Sequence, residues 1–499
     1  MRRALVQALR AAAGGALAVP AFAPFGCFPL AFLSLALLVA QLERAASAHA
    51  GFGLGFAWGL GAFGAGVSWL YVALARYGDM PPPLAALAIF LFCAFLALYP
   101  ALASAAYVRW RRGGALRRAM LFAATWLLGE WLRGVLFTGF PWLAIGYSQT
   151  PPSPLAAVFP LLGVHGVGGL TAFIACLIAA GVSAARECPA RKGRALIVPA
   201  AAIAFVCLMG LGLSRYAWSA PEGEALAVSL LQPNIDQGLK WAPESLAEVL
   251  RINAVLVQAA RGEVVVLPET ALAAPLDWLP QGYLDLLAGH LAGRGGTLIA
   301  GALVRDGGRY YNAAVTLGAE SGQSYAKHHL VPFGEYSPPL FGWFYRLANI
   351  PLSQQSPGAA RQAPFALHGR RIAINICYED VFGGELISGP PQAGLMLNLS
   401  NLAWYGDSLA QPQHLQIARA RALESGRPML RATNTGMTAL VLPDGSVSAQ
   451  LPAFTRGVLE VRVPAYRGET PYARWGDTPA LAAASIALML FVLARALAT

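Results

Sequence analysis

An α-helical membrane bundle joined to a separate α/β domain is the architecture that this sequence predicts. Of its 499 residues, 57% are hydrophobic and only 12% are charged, and the mean hydropathy is +0.52. That balance is typical of a membrane protein. The long apolar stretches lie before residue 222 and after residue 466. We therefore expect a bundle of about seven helices at 1–221, an α/β domain at 222–466 and a last transmembrane helix at 467–499.

About eight stretches are apolar over the roughly 20 residues that a helix needs to cross the hydrocarbon layer. They lie near residues 8–24, 28–42, 53–75, 84–108, 119–137, 158–185, 195–214 and 479–497. The first follows Arg2-Arg3 and ends with Ala21-Phe22-Ala23, a pattern that also resembles a cleaved signal peptide. Because further apolar stretches follow at once, we expect this first helix to be retained.

The arginines predict how the chain crosses the membrane, because short cytoplasmic loops are enriched in Lys and Arg. Basic clusters occur at Arg2, Arg3 and Arg10, at Arg44, at Arg109, Arg111, Arg112, Arg117 and Arg118, and at Arg186, Arg191, Lys192 and Arg194. All of them fall on one side of the predicted bundle. We therefore expect a cytoplasmic N-terminus and an external α/β domain, which in a double-membrane bacterium means the periplasm.

The net charge of +11 reflects this topology and does not indicate a nucleic-acid partner. Residues 222–466 carry 17 Lys and Arg against 19 Asp and Glu, whereas the rest of the chain carries 19 against 6. The excess positive charge therefore belongs to the predicted cytoplasmic loops.

The domain at 222–466 shows apolar runs of strand length separated by helical patterns. The runs are Leu226–Leu231, Val264–Leu267, Thr297–Leu303, Ala313–Leu317, Ile372–Ile376, Leu395–Leu399 and Thr438–Leu442. Apolar spacing near 3.6 predicts helices at Glu244–Ala260 and Leu409–Glu424. Alternating strands and helices favour a layered α/β domain whose polar site residues lie at strand ends.

Three residues of different chemistry follow strand-like runs in this domain, namely Glu269, Lys327 and Cys377. Cys377 is the only cysteine after Arg215, so no disulfide is predicted for it, and Lys327 is one of only three lysines. Each also has an ordinary structural explanation. Glu269 could be a helix N-cap, Lys327 a member of a surface ion pair and Cys377 a small core residue. Their shared placement favours a functional interpretation, in which a base activates a thiol and a cation stabilises an oxyanion.

This Glu-Lys-Cys pattern resembles the nitrilase superfamily, whose members use these residue types in an αββα sandwich. Over essentially the whole chain, the sequence is similar to the apolipoprotein N-acyltransferase family of polytopic membrane enzymes. The shared motifs are Gly139-Phe-Pro-Trp142, Gly146-Tyr-Ser-Gln149, Gln232-Pro-Asn-Ile235, Lys240-Trp241, Ser400-Asn401, Trp404-Tyr-Gly-Asp-Ser408 and Arg427-Pro-Met-Leu-Arg431-Ala-Thr-Asn434-Thr-Gly436. The sequence departs from the family pattern at Leu402, where Asp is common, and at Gln411-Pro-Gln-His414, which is less His-rich.

The resemblance implies that Glu269 is the general base, Lys327 the oxyanion stabiliser and Cys377 the nucleophile. It implies acyl transfer from a phospholipid, with phosphatidylethanolamine the expected donor, through a thioester on Cys377. The acceptor would be the α-amine of the diacylglyceryl-cysteine of an apolipoprotein, in the last step of lipoprotein maturation at the bacterial inner membrane. The reaction would use no cofactor or metal, and we expect a monomer.

Four further positions match residues that the family needs for activity, namely Trp241, Glu335, Tyr378 and Glu379. We expect Glu335 and Glu379 to keep Lys327 charged and oriented, as carboxylates near an ammonium do.

Other patterns have structural explanations. Gly59-x-Gly61-x-x-Gly64 fits a dinucleotide fingerprint by letter, but it lies in an apolar stretch where small residues let helices pack closely. Glu130 and Arg133 are one helical turn apart, and we expect them to form an ion pair.

The segment Pro338–Pro364 shows no regular period but is rich in large apolar side chains. They are Leu340, Phe341, Trp343, Phe344 and Tyr345. Such a loop lies either at a bilayer interface or in the core of the domain, and the sequence leaves both alternatives open.

Two other functions remain compatible with parts of the sequence. A membrane-tethered amidase or nitrilase would need the same Glu, Lys and Cys, although not eight transmembrane helices. A transporter with an external binding domain would have the helices, but it should also keep charged or broken helices at the bilayer midplane, and few are visible.

Overall fold

The computed structural model describes residues 2–187, 192–337, 354–388 and 393–496 of the chain. The chain forms two compact units. The first unit comprises Met1–Ser68, Pro83–Ala217 and Arg474–Thr499, and the second comprises Trp69–Pro82 and Trp218–Ala473. Cys188 and the aromatic-rich part of the predicted loop, residues 338–353, lie outside the described residues.

Helices dominate the N-terminal half of the chain. In order they are α1 (Arg2–Ala16), α2 (Pro29–Leu42), α3 (Ala48–Gly66), α4 (Leu70–Val72), α5 (Pro82–Trp110), α6 (Ala115–Val135), α7 (Phe159–Glu187) and α8 (Lys192–Leu213). α4 continues into a π-helical turn, Ala73–Tyr77, and belongs to the second unit.

The helices long and apolar enough to cross a membrane are fewer than the predicted eight. Within the described residues they are Arg2–Ala21, Pro82–Trp110, Ala115–Thr138, Pro154–Arg186 and Thr478–Arg495, and α3 with Leu70–Tyr77 makes a sixth if that bent pair counts as one span. The apolar helices Pro29–Leu42 and Pro199–Leu213 are shorter. At 1.5 Å per residue, a 14-residue helix such as α2 spans only about 21 Å of a hydrocarbon layer about 30 Å thick. The count of about eight transmembrane helices is therefore not confirmed.

Glycines let the first helices pack backbone against backbone. A methyl group on Gly61 of α3 would meet the carbonyl oxygen of Ala12 of α1 at 1.9 Å, and one on Gly59 would meet the Cα of Ala97 of α5 at 2.7 Å. No heavy atom lies within 4 Å of the corresponding position on Gly64. Two of the three glycines of the fingerprint-like pattern are thus packing residues.

The loop after α6 is held by the two charged residues of that helix. Glu130 Oε1 accepts a hydrogen bond from the N–H of Ile145 at 2.8 Å. The guanidinium of Arg133 donates to the carbonyl oxygens of Phe140 and Trp142, the latter at 2.7 Å. Both side chains therefore satisfy backbone groups of a buried loop.

The second unit contains the β-sheets. Its strands are β1 (Ser219–Gln232), β2 (Val264–Val266), β3 (Leu272–Pro275), β4 (Thr297–Asp306), β5 (Arg309–Gly318), β6 (Ser324–Ala326), β7 (Phe365–Leu367), β8 (Arg370–Ile376), β9 (Leu395–Ser400), β10 (Met429–Thr433), β11 (Ala439–Val441), β12 (Val447–Gln450) and β13 (Gly457–Gly468). One sheet has the order β13-β1-β2-β4-β5-β6 with β3 beside β4, and the other has the order β12-β11-β10-β9-β8-β7. All seven predicted strand runs fall on these strands.

The remaining helices follow in the second half of the chain. They are α9 (Gln237–Lys240), α10 (Leu246–Ala259), α11 (Tyr283–Ala292), α12 (Gly383–Ser388), α13 (Ala410–Ser425), α14 (Pro471–Trp475) and α15 (Thr478–Ala496). Both helices predicted in the α/β domain are confirmed as α10 and α13, within two residues at each end.

Alternation along the strands builds an αββα sandwich. Val264 and Val266 of β2 enter the core shared by the two sheets, whereas Val265 between them packs into a second core with α10 and α11. Successive strand residues point to opposite faces, so one buried strand supplies both layers. A third core joins the other sheet to α13. The predicted layered α/β domain is therefore confirmed.

We predict that Gly61→Ala lowers the midpoint of thermal unfolding of the detergent-solubilised protein, because the new methyl group overlaps the Ala12 carbonyl oxygen. Overpacking of this kind typically costs about 1–3 kcal/mol. Gly64→Ala on the same helix is the matched control, and it should leave the midpoint unchanged or raise it slightly because Ala favours helix. Equal midpoints for the two variants would contradict the close packing of α1 and α3.

Candidate active site

The predicted site residues lie at the carboxyl ends of strands. β1, β2 and β4 are parallel, as are β8, β9 and β10. β6 runs in the direction of β4, because two successive antiparallel pairings separate them. Glu269 follows β2 closely, Lys327 comes directly after β6 and Cys377 directly after β8. Ligand sites of α/β domains form at such strand ends.

Glu269, Lys327 and Glu335 form a buried ion cluster. The Lys327 ammonium donates to Glu335 Oε1 at 2.8 Å and to Glu269 Oε1 at 3.3 Å. Burial by itself disfavours the ammonium, but the carboxylates of Glu335 and Glu269 outweigh burial and hold the pKa of Lys327 well above its ordinary value. Lys327 is therefore a cation throughout the physiological pH range.

Asn312 on β5 joins the two carboxylates, and no sequence pattern had indicated it. Its side-chain Nδ2 donates to Glu269 Oε1 at 2.8 Å and to Glu335 Oε1 at 3.1 Å. Its backbone carbonyl oxygen accepts the backbone N–H of Lys327 at 2.7 Å. The other oxygen of Glu269 accepts the N–H of Asn401 at 2.8 Å. These contacts fix the orientation of the Glu269 carboxylate.

Cys377 begins the sharp turn that ends β8. Its φ of +52° lies in the left-handed region, which residues with a Cβ rarely adopt, and strain of this kind clusters at functional sites. Burial raises the pKa of the Cys377 thiol above its ordinary range and the Glu269 carboxylate raises it further, while Lys327 opposes both only in part. The resting side chain is therefore a neutral thiol, which needs a base at the moment of reaction.

Glu379 ties together the backbone on both sides of the site. Its Oε1 accepts the N–H groups of His328 at 2.7 Å and His329 at 3.2 Å, and its Oε2 accepts the N–H of Ile376 at 2.6 Å. The Tyr325 hydroxyl donates to the same carboxylate at 2.9 Å. Glu379 thereby connects the end of β8 to the loop after β6.

Tyr378 and Trp241 flank the site with aromatic surface. Tyr378 is buried, and its ring lies edge-on to that of Phe382 with centroids 5.1 Å apart and to that of His329 at 5.8 Å. The Trp241 ring packs against the core of α10 and α11, and the Lys240 ammonium lies 5.4 Å from its centroid.

A buried polar network supports the backbone of Cys377 from behind. Its carbonyl oxygen lies 3.2 Å from Nε2 of His414 and accepts from Nδ2 of Asn398 at 3.3 Å. The guanidinium of Arg431 lies 3.0 Å from Nδ1 of His414 and donates to Asp380 Oδ2 at 2.8 Å. His414 and Arg431 were visible as motif residues, but nothing in the sequence connected them to Cys377.

The tautomer of His414 follows from its neighbours. A guanidinium can only donate, so Nδ1 must accept from Arg431 and the proton must lie on Nε2, which then donates to the Cys377 carbonyl oxygen. Burial, and next the positive charge of Arg431, lower the pKa of His414 well below its ordinary value. His414 is therefore a neutral donor that holds the strained turn.

The segment containing α4 contributes to the same unit. The Trp69 indole N–H donates to Gln413 Oε1 at 3.2 Å, and its ring lies 4.5 Å from that of Tyr405. Burial raises the pKa of Tyr405, so the phenol stays protonated beside the site. The predicted single helix at 53–75 is instead bent by 62° before this segment.

Comparison with known proteins covers both halves of the chain. A family profile described as "Apolipoprotein N-acyltransferase N-terminal domain" matches residues 14–177, and one described as "Carbon-nitrogen hydrolase" matches residues 227–472. An apolipoprotein N-acyltransferase of Nitrosomonas europaea is 45% identical, with 95% of this chain and 94% of that protein covered. The chain belongs to the apolipoprotein N-acyltransferase family. A relative with the same name in Chromobacterium violaceum is 44% identical, with 98% of this chain and 94% of that protein covered. Another in Ralstonia nicotianae is 42% identical, with 95% of this chain and 91% of that protein covered.

Membership of the apolipoprotein N-acyltransferase family makes this chain an acyltransferase with a carbon-nitrogen hydrolase domain. The several apolar helices of the N-terminal part are those of a membrane protein. The resemblance to both families drawn from the sequence is thereby confirmed.

We predict that His414→Ala slows alkylation of Cys377 by iodoacetamide by roughly tenfold. The Cys377 carbonyl oxygen would keep only the hydrogen bond from Asn398, and losing one hydrogen bond typically costs about 0.5–1.5 kcal/mol, so the turn is held less firmly. His414→Gln keeps an N–H donor and should recover part of the rate, whereas His290→Ala on the exposed face of α11 should have no effect. Wild-type alkylation by a folded His414→Ala protein would contradict this role.

Proposed function

We propose that this protein transfers an acyl chain from a phospholipid, such as phosphatidylethanolamine, to the α-amine of the diacylglyceryl-cysteine of apolipoproteins. The acyl chain would be carried as a thioester on Cys377, and the reaction would be the last step of lipoprotein maturation. The observation that carries the proposal is the buried contact between Glu269 and Lys327, beside a thiol held on a strained turn. Family membership supplies the class of reaction.

In the first step, Glu269 takes the proton of the Cys377 thiol while the sulfur attacks the ester carbonyl of the phospholipid. The Lys327 ammonium faces the negative charge that develops on the carbonyl oxygen. When this intermediate collapses, the ester C–O bond breaks and the lysophospholipid alcohol takes the proton from Glu269. The products are a thioester and a lysophospholipid.

In the second step, the neutral α-amine of the lipoprotein attacks the thioester carbonyl. Glu269 accepts a proton from the amine, the C–S bond breaks and the thiol is restored with that proton. The same base and the same cation thus serve both steps. Tyr378 and Trp241 would supply apolar surface for the lipid chains, and Glu335 and Glu379 would hold Lys327 and the loop that follows it.

We also propose that the bundle at 1–221 and the helix at 467–499 anchor the domain at 222–466 on the periplasmic side of the inner membrane. The distribution of arginines supports this orientation, because the basic loops all fall on one predicted side. Both substrates carry lipid chains, so a membrane-anchored site would reach them without moving them through water.

We predict that wild-type protein incubated with phosphatidylethanolamine gains the mass of one acyl chain. Hydroxylamine should remove this mass because it cleaves thioesters. Cys377→Ala should gain nothing. Absence of the adduct from the wild type, with lipid and detergent verified, would exclude the thioester mechanism.

The same assay tests the base. Glu269→Gln should form the adduct at least about 100-fold more slowly, which is the lower range for the loss of a general base. Glu248→Gln, on the exposed face of α10 and paired with Arg251, is the matched control and should behave as wild type. Equal rates for the two variants would remove Glu269 from the mechanism.

We predict that a membrane-impermeant maleimide labels Ser321→Cys in intact spheroplasts but labels Gly114→Cys only after lysis. Both positions are exposed, and they lie in the α/β domain and in the loop between α5 and α6 respectively. Labelling is measured as the increment over the parent protein, which has an exposed Cys27 of its own. The reverse pattern would invert the proposed orientation.

A further inference from the structure

Lys240 is a second buried ammonium beside the site, and the mechanism above does not use it. It lies at the end of α9 and is 2% exposed. Its Nζ donates to the carbonyl oxygen of Glu269 at 3.2 Å and to Thr270 Oγ1 at 2.7 Å. The face of the Trp241 ring is 5.4 Å away. The lysine therefore contacts the backbone of the proposed base itself.

The contacts of Lys240 are of an unusual kind for a buried cation. A charged group in a protein interior normally has a counter-ion, because desolvation costs several kcal/mol. Within the described part of the chain, Lys240 forms no ion pair, and its hydrogen-bond acceptors are an uncharged carbonyl and an uncharged hydroxyl. A lysine that serves only stability would be replaced by an apolar residue at little cost.

The turn that Lys240 holds is strained. Thr270 has a φ of +44°, in the left-handed region, and this conformation directly follows the base Glu269. The two hydrogen bonds from Nζ bridge the Glu269 carbonyl and the Thr270 side chain, so they fix the turn from which the carboxylate extends.

The charges of the site balance only when Lys240 is counted. Glu269 and Glu335 contribute two negative charges, and Lys327 contributes one positive charge. When the Cys377 proton moves to Glu269, one negative charge moves to the sulfur and the total stays the same. Burial lowers the pKa of Lys240 to about 7, while the Glu269 carboxylate, and Cys377 when it is a thiolate, oppose that shift. These are the two groups between which the proton moves.

We propose that Lys240 is a positioning residue that fixes the Glu269–Thr270 turn and whose charge stabilises the Cys377 thiolate formed during attack. The inference rests on the proposed roles of Glu269 and Cys377. The groups that face Lys240 are Glu269 and Thr270 after β2, Cys377 after β8 and the Trp241 ring of its own segment.

The test is the rate of Cys377 alkylation by iodoacetamide between pH 6 and 9, followed by intact mass. This readout reports thiolate formation without any lipid, so it is independent of whether acyl transfer occurs. Lys240→Gln removes the charge but keeps a donor for the turn, and Lys240→Met removes both. Arg251→Gln, which removes an exposed cation of α10, is the matched control.

We expect wild type to react roughly tenfold faster than Lys240→Gln at pH 6, with the ratio falling towards one by pH 9. This rate ratio should fall as the pH rises, because Lys240 is charged below its pKa of about 7 and loses its charge above it. Lys240→Met should be slower still at every pH, because the turn is released. The control should follow the wild-type profile.

If the ratio of the wild-type alkylation rate to the Lys240→Gln rate does not change with pH, the proposal that the charge of Lys240 stabilises the thiolate is overturned. A Lys240→Met protein that is folded and reacts like wild type would overturn the positioning role. If Lys240→Met does not fold, the pH dependence of Lys240→Gln still decides the first question. Normal profiles for all variants, together with a thioester adduct in wild type, would refute this inference while leaving the proposed function intact.

Discussion

The contact of one ammonium with two buried carboxylates is the constraint on which the site depends. Lys327 lies between Glu269 and Glu335, and Asn312 bridges the same two carboxylates from the neighbouring strand. Removing one partner of a buried ion pair leaves an uncompensated charge and typically costs about 3–5 kcal/mol. The cluster is therefore stable only when complete, and it ties the segments that follow β2 and β6 to the middle of β5.

Cys377, the proposed nucleophile, depends on a different kind of support. Cys377 sits on a left-handed turn, which is unfavourable for any residue other than glycine. Two neutral donors, His414 and Asn398, hold its carbonyl oxygen, and the Arg431–Asp380 pair keeps His414 in the donating tautomer. Charge positions Glu269, whereas hydrogen bonds to the backbone position the Cys377 thiol. The two supports meet at the proton transfer that we propose between Glu269 and Cys377.

Local sequence patterns predict the strands well, because a short continuous run of apolar and β-branched residues indicates a strand that is buried on both faces. Val264–Leu267 and Ile372–Ile376 fall on β2 and β8, and the candidate triad was found from its position at strand ends. Asn312 could not be found in this way, because it lies within β5 and acts through residues distant in sequence. The same limit applies to His414, whose role depends on three separate segments.

The membrane helices show a different limit of what the sequence can predict. Composition identifies apolar stretches but not where a helix stops, so the run at 53–75 reads as one span although the chain bends by 62° within it. The residues after that bend, including Trp69, belong to the unit that contains the site. Hydropathy cannot distinguish a lipid-facing aromatic residue from one that packs on Tyr405, because both are apolar and flanked by apolar neighbours.

The two carboxylates around Lys327 are equivalent in type but not in geometry, and this difference supports the separate roles that we propose for them. Glu335 lies 2.8 Å from the ammonium and Glu269 lies 3.3 Å from it. The second oxygen of Glu335 accepts the N–H of Val331 and that of Glu269 accepts the N–H of Asn401. The Asn401 N–H also acts to lower the pKa of the Cys377 thiol, against the larger effect of burial, so the backbone donor that holds Glu269 also acts on the proposed nucleophile. Protonation of Glu269 leaves Lys327 paired with Glu335, whereas protonation of Glu335 would remove the closer counter-ion. The proton transfer that we propose through Glu269 would therefore preserve the ion pair between Lys327 and Glu335.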